Sequence, residues 1–186
     1  MKFCSTCGAP VESIIPDGDH LPRHVCTVCK TIHYQNPRII AGCVPEWQGR
    51  ILLCKRAIEP RRGYWTLPAG FMENGEAVQD GAAREAMEEA LANVEIGSLL
   101  AIVNVIRAHQ VHIMYRARLL DTNFGVGPES LEVKLYDEEE IPWSDIAFLS
   151  VEFALRRYFE DRRAGREGAH SRDIDWQDGK LIIKDR

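Results

Sequence analysis

The chain has 186 residues, enough for one sizeable core and a small appendage. Its net charge of −5 argues against a dedicated nucleic-acid binder that works through a basic surface. No apolar run approaches the ~18–20 residues that span a membrane, and the opening MKFCSTCG carries no secretion signal, so a soluble, cytoplasmic protein is expected.

Four of the six cysteines fall in two pairs, Cys4-x-x-Cys7 and Cys26-x-x-Cys29, with eighteen residues between them. Each pair presents two thiolates from a tight knuckle, and Gly8 follows the first pair where a sharp turn is needed. Four thiolates satisfy tetrahedral Zn²⁺ and leave no open position, so Cys4, Cys7, Cys26 and Cys29 read as a structural zinc site. Two disulfides are the competing reading and belong to an oxidising compartment. His20, His24 and His33 are near enough in sequence for one to replace a cysteine. Residues 1–36 thus read as a zinc ribbon, a stretch too short for a proper core, in which the metal supplies much of the folding energy. Cys43 and Cys54 lie in apolar strand-like runs and read as small core residues.

His33-Tyr34-Gln35-Asn36-Pro37 links the ribbon to the rest of the chain. Residues 38–46 and 51–56 are apolar strand candidates joined by a turn at Gln48-Gly49. Gly63 to Gly70 is a loop containing Trp65 and Pro68. Over residues 77–90 a helix puts Ala83, Ala86, Met87, Ala90 and Leu91 on one side and Glu85, Glu88 and Glu89 on the other. Such crowded carboxylates repel one another. A divalent cation supplies the counter-charge, and Mg²⁺ favours a few carboxylates plus waters and substrate phosphates.

Strand-like runs come next near 99–106, 110–120 and 131–136, then an acidic loop from Asp137 to Glu140. A second amphipathic helix is predicted over about 150–163, burying Val151, Ala154, Leu155, Tyr158 and Phe159. Strands interrupted by one helix and closed by another give an α/β class over 37–163, with a mixed sheet sandwiched between helices. Residues 164–186 are a charged extension, read either as disordered or as a hairpin turning at Asp178-Gly179 between Ile174, Trp176 and Leu181-Ile182-Ile183.

The order Gly70, Glu76, Arg84-Glu85-Ala86, Glu88-Glu89, Ala92 resembles the Nudix box, G-x5-E-x7-R-E-U-x-E-E-x-G-U with U aliphatic. One position departs, because Leu91 stands where the box has its last glycine. That glycine closes the helix at positive φ. Leu91 either adopts the same conformation, at ~1–2 kcal/mol, or lets the helix run on to Asn93. The resemblance implies an α/β/α sandwich that cleaves a nucleoside diphosphate linked to another group, using Mg²⁺ or Mn²⁺. It implies metal ligation by Glu85, Glu88, Glu89 and the Gly70 carbonyl, with Glu76 and Arg84 organising the loop. Arg84 and Glu88 also form a helical i, i+4 pair that needs no such role.

The general base is left between Glu85, Glu89 and a glutamate of Gly127-Pro128-Glu129-Ser130-Leu131-Glu132, with Glu132 favoured at a strand start. Arg56 and Arg84 are candidate substrate contacts, as are Arg61 and Arg62, since guanidinium suits diphosphate oxygens. Tyr34, Trp65 and Phe71 offer flat rings for stacking.

Further runs, Tyr34-Gln35-Asn36-Pro37, Leu53-Cys54-Lys55-Arg56, Trp65-Thr66-Leu67-Pro68-Ala69-Gly70 and Gly127 to Glu132, resemble the plant chloroplast Nudix hydrolases that split FAD into FMN and AMP. The likeness covers roughly residues 4–150 and implies FAD as first substrate, with ADP-ribose next. NADH ranks lower, because the Ser-Gln-Pro-Trp-Pro-Phe-Pro motif of the NADH-cleaving branch is missing around Asn104 to Gln110. A nucleotide sensor without turnover is the alternative from another class. A homodimer is expected, from the family's habit and from the apolar residues of the extension.

Overall fold

The two cysteine knuckles flank three short strands, β1 (Val11–Ile14), β2 (Arg23–Cys26) and β3 (Ile32–His33), paired antiparallel in that order. The computed structural model describes every residue from Met1 to Arg186 and divides them into two units, Met1–Pro37 and Arg38–Arg186. The only fully hidden side chain of the first unit is Cys26, with Cys4 nearly so. This small unit therefore lacks a hydrophobic core and depends on what its sulfurs bind.

The second unit is built on β4 (Arg38–Trp47) and β5 (Arg50–Arg56), a hairpin turning where Gln48 and Gly49 take positive φ. Short strands β6 (Trp65–Thr66) and β7 (Ala69–Phe71) pair with β5 and β4 and lead into helix α1 (Val78–Ala90). Then come β8 (Val94–Val105), β9 (Gln110–Leu119) and β10 (Ser130–Tyr136), followed by helix α2 (Leu149–Ala164). The chain ends in β11 (His170–Gln177) and β12 (Lys180–Asp185). The sheet order is β10-β5-β4-β9-β8-β11-β12, with β4–β9 and β8–β11 parallel and the other pairs antiparallel. No helix is long and apolar enough to cross a membrane.

Alternation along the strands sends side chains to two layers. Ala41 and Cys43 of β4 meet Ala82 and Ala86 of α1 on one face. Val44, Leu100, Val103 and Met114 meet Phe153, Ala154, Leu155 and Phe159 of α2 on the other. The result is the α/β/α sandwich with mixed sheet that the sequence implied. Strand β8 starts earlier than expected, at Val94, and carries register shifts between Ile96 and Ala101. The extension is an ordered hairpin, with Asp178 and Gly179 both at positive φ as a two-residue turn requires. It lengthens the main sheet, since β11 runs parallel to β8.

Helix α1 corrects the expected division of faces. Its buried arc is Gly81, Ala82, Glu85, Ala86, Glu89 and Ala90, while Met87 and Leu91 are exposed. Glu85 and Glu89 therefore do not lie opposite the apolar stripe; they share it. Small alanines bring the helix close to β4 and β9, and this closeness encloses the carboxylates beside them.

Leu91 ends the helix in the left-handed region, at φ 49° and ψ 30°, and the Leu91 and Ala92 N–H groups donate to the Met87 and Ala86 carbonyls. Glycine's usual place is filled by a side chain that bears the cost itself. Leu91→Asn keeps the turn with a residue that tolerates positive φ, and should raise stability by ~0.5–1 kcal/mol. Denaturant unfolding of the two proteins measures this, and a loss of stability would mean that Leu91 packs more usefully than its exposure indicates.

Candidate active site

Arg84 is the centre of the box. Its Nη1 donates to Glu85 Oε1 at 2.7 Å and Glu88 Oε2 at 2.9 Å. Its Nη2 donates to Glu76 Oε1 at 2.9 Å and the Phe71 carbonyl at 3.1 Å, and its Nε to Glu76 Oε2 at 3.1 Å. Guanidinium has five N–H donors, so none is left for a substrate oxygen. Arg84 thus joins the loop before the helix to the helix itself. Its hydrogen bonds, with that of the Glu73 N–H, hold the Glu76 carboxyl down to about 2.

Glu89 differs from its neighbours. It is 6% exposed, has no cationic partner, and accepts only the Ala69 N–H at 3.3 Å. Burial, then the Glu85 charge, push its carboxyl up to about 8, with Glu129 acting in the same direction. Glu85 is also raised, chiefly by burial and against the pull of Arg84. A buried carboxylate without a counter-charge is costly, and a divalent cation bound by Glu85, Glu88 and Glu89 removes the cost. The donor set, all carboxylate oxygen, suits Mg²⁺ or Mn²⁺.

Two glycines hold this cluster by having no side chain. A Cβ on Gly70 would lie 2.3 Å from Glu85 Oε1, so the Gly70 backbone rests directly on the carboxylate. A Cβ on Gly127 would lie 1.9 Å from the Glu88 carbonyl oxygen. That contact lets the loop after β9 cap α1, with Gly125 N–H donating to the Ala90 carbonyl at 2.8 Å and Gly127 N–H to the Glu89 carbonyl at 3.1 Å. The loop's next acid, Glu129, accepts the Ala57 N–H on its own carbonyl at 2.8 Å. Gly127 belongs to the run Gly127 to Glu132 singled out in the sequence, but that run gave it no role of its own.

The remaining expected residues are distributed unevenly. Glu132 sits past a bulge in β10, opposite Lys55, whose Nζ is 3.8 Å from its carboxylate. Arg56 has Nε on the Pro60 carbonyl at 2.9 Å, its guanidinium 5.1 Å over Phe148, and its charge opposes the rise of Glu89. Trp65 is buried, edge-on to Tyr136 at 5.1 Å. Phe71 is half-exposed, with Arg38 4.7 Å over its ring. Tyr34 belongs to the N-terminal unit, exposed under the Arg23 guanidinium at 5.1 Å. A cavity of about 660 Å³ opens between β8, β9 and the end of α2, but no box residue lines it and its Arg116 and Asp161 are spent on each other.

In the N-terminal unit the Sγ atoms of Cys4, Cys7, Cys26 and Cys29 lie within 4.8 Å of one another. The Cys4–Cys29, Cys7–Cys26 and Cys7–Cys29 separations are 3.7, 3.5 and 3.5 Å. A tetrahedral ion with sulfurs at ~2.3 Å has edges of ~3.8 Å, so the four sulfurs fit such an ion. No histidine replaces a cysteine; His33 instead approaches Cys4 Sγ at 3.3 Å through Nε2.

Two family models match the chain, Nudix N-terminal over residues 2–35 and NUDIX domain over residues 36–159. The chain belongs to the Nudix hydrolase family. Its N-terminal unit is that family's zinc ribbon, and β11 and β12 lie beyond the matched domain. A solved NUDIX hydrolase from Nitrosomonas europaea is similar over 94% of this chain and 99% of its own, at 55% identity and a TM-score of 0.91. An ADP-ribose pyrophosphatase of Methanocaldococcus jannaschii is 28% identical over 59% of this chain and 67% of its own length. An NAD-capped RNA hydrolase of Vibrio parahaemolyticus is 34% identical over 51% of this chain, which spans only 35% of that protein.

The raised Glu89 carboxyl has a measurable consequence. Its proton is retained in the folded, metal-free protein up to about pH 8 but lost near 4.5 when unfolded. Stability from this group is therefore full at acid pH and is lost as pH rises from about 4.5 through about 8. In EDTA, melting temperature should fall more steeply across that range for wild type than for Glu89→Gln, and added Mg²⁺ should cancel the difference. Parallel pH profiles in EDTA would show that Glu89 is not a strained acid.

Proposed function

We propose that this chain is a metal-dependent diphosphatase for an ADP-linked compound, releasing AMP. The observation that carries the reading is the buried Glu89, without an ion-pair partner, beside Glu85 and Glu88, a cluster of acids to which a divalent cation would bring the missing counter-charge. Bound Mg²⁺ or Mn²⁺ offsets the charge of the diphosphate and acidifies an attached water. Glu85, Glu88 and Glu89 hold the metal, with the Gly70 carbonyl beside them, and Arg84 keeps their geometry through Glu76. Arg56, with its Nη groups unspent, takes a diphosphate oxygen. Phe71, half-exposed beside the box, offers its ring to the base. Glu129 is a better external base than Glu132, because its charge reaches both Glu85 and Glu89 whereas Glu132 pairs with Lys55. Zn²⁺ is the ion of the four thiolates.

FAD, ADP-ribose and the nicotinamide dinucleotides all contain ADP. The sequence motifs favour FAD, while the names of the relatives favour ADP-ribose and NAD-type compounds. AMP release is measured across the three with Mg²⁺, Mn²⁺ or EDTA. Turnover should require metal and fall at least ~100-fold in Glu88→Gln and Glu89→Gln. Glu129→Gln should fall further than Glu132→Gln. Near-normal rates in the box variants, or tight binding without AMP release from any of the three, would favour a nucleotide sensor.

A second copy of the chain is the partner. Trp176, Leu181 and Ile183 are exposed on one face of the β11–β12 hairpin, with Trp176 opposite Leu181 and Ile183 opposite the buried Ile174. Lys180 and Lys184 on the outer strand discourage addition of another strand at the edge, so the face is the contact. Sedimentation should give a dimer for the full chain and a monomer for Leu181→Lys/Ile183→Lys. A monomeric wild type removes the proposal.

A further inference from the structure

The four ribbon sulfurs are not equivalent. Cys4 and Cys26 are buried, and Cys7 and Cys29 are exposed. Cys4 accepts the Thr6 N–H at 3.4 Å and faces His33 Nε2 at 3.3 Å. Cys26 accepts the Val28 and Cys29 N–H groups, each at 3.4 Å. Cys29 has the Thr31 hydroxyl at 3.1 Å and the Thr31 amide. Cys7 has the Ala9 amide and no side-chain donor outside the cysteine cluster. Hydrogen bonds to a metal-bound sulfur draw off the electron density that makes it nucleophilic, and burial blocks approach. With the ion in place all four are thiolates, so access and donors rank them rather than acidity. Cys7 is open on both counts.

We propose that Cys7 is the modification site of the zinc ribbon, the thiolate that peroxides and soft alkylating agents attack, with Cys29 as its resolving partner. The inference rests on the reading of the four thiolates as a zinc site. In the first step the Cys7 sulfur attacks one peroxide oxygen. The O–O bond breaks, hydroxide leaves, and Cys7 becomes a sulfenic acid, oxidised by two electrons while the peroxide is reduced by two. In the second step the Cys29 thiolate, 3.5 Å away, attacks the Cys7 sulfur and expels hydroxide. The Cys7–Cys29 disulfide would leave only Cys4 and Cys26 as thiolate ligands, too few to hold a zinc ion. The remaining cysteines provide an internal control. Cys43 and Cys54 are buried in the second unit, and burial pushes the Cys43 thiol up to about 12, so neither competes.

Freshly reduced full-length protein is assayed for zinc, which tests the zinc reading by itself. It is then exposed briefly to limiting iodoacetamide or hydrogen peroxide, while a chromophoric chelator records released zinc and peptide mass mapping locates the adducts. Cys7 should be alkylated several-fold faster than Cys29, with Cys4 and Cys26 slower still, and about one Zn²⁺ should leave per Cys7 modified. Peroxide should give a Cys7–Cys29 bridge. Thr31→Val, which strips the hydroxyl donor from Cys29, should narrow the gap between the two exposed cysteines. First labelling at Cys29, Cys4 or Cys26 in zinc-loaded wild type overturns the assignment of Cys7. A bridge from Cys7 to Cys26 overturns the role of Cys29.

Discussion

Glu85 and Glu89 occupy the face of α1 that packs on the sheet, and a single guanidinium serves the carboxylates around it. Arg84 directs its donors to Glu76, Glu85, Glu88 and the Phe71 carbonyl, so Glu89 is left as a buried acid without an ion-pair partner. Burial pushes the Glu89 carboxyl up to about 8, which favours the neutral acid at neutral pH when no metal is present. A divalent cation bound there would displace that proton, which would couple the stability of the helix seat to the affinity for metal.

The rest of the second unit is arranged to keep that acid in place. Alanines at 82, 86 and 90 draw the helix onto β4 and β9. Gly70 brings one backbone segment against the Glu85 carboxylate, and Gly127 brings another against the Glu88 carbonyl. The carbonyls at the end of α1 would otherwise lack partners, and the loop's amides satisfy two of them. The segment that closes the helix also carries Glu129, whose charge acts on both Glu85 and Glu89. Leu91 is accepted at the helix end despite its φ, since the same loop fixes the chain on either side.

The N-terminal unit obeys a different logic. It has three short strands and hardly any buried apolar surface, so its sulfurs do the work that a core does elsewhere. The C-terminal hairpin is the opposite case, secured by many ordinary contacts. Asn104 donates to Asp173, Arg172 and Arg157 to Asp185, and Ile174 enters the core between them.

Much of this was legible in the residues themselves. The Cys-x-x-Cys pairs determine the ribbon because spacing alone sets which sulfurs can meet. The box spacing determines which glutamates share a turn of helix. The Asp178-Gly179 turn is local, since positive φ at both residues is a property of those side chains. Tertiary structure decided the rest. Periodicity placed Glu85 and Glu89 opposite the apolar stripe because it counts carboxylates as solvent-seeking, yet packing buried both. The burial of Trp65 against Tyr136 and the pairing of Glu132 with Lys55 each depend on strands far apart in sequence. Gly127 gave the least warning, because a glycine's necessity is visible only once the carbonyl that would collide with its side chain is in place.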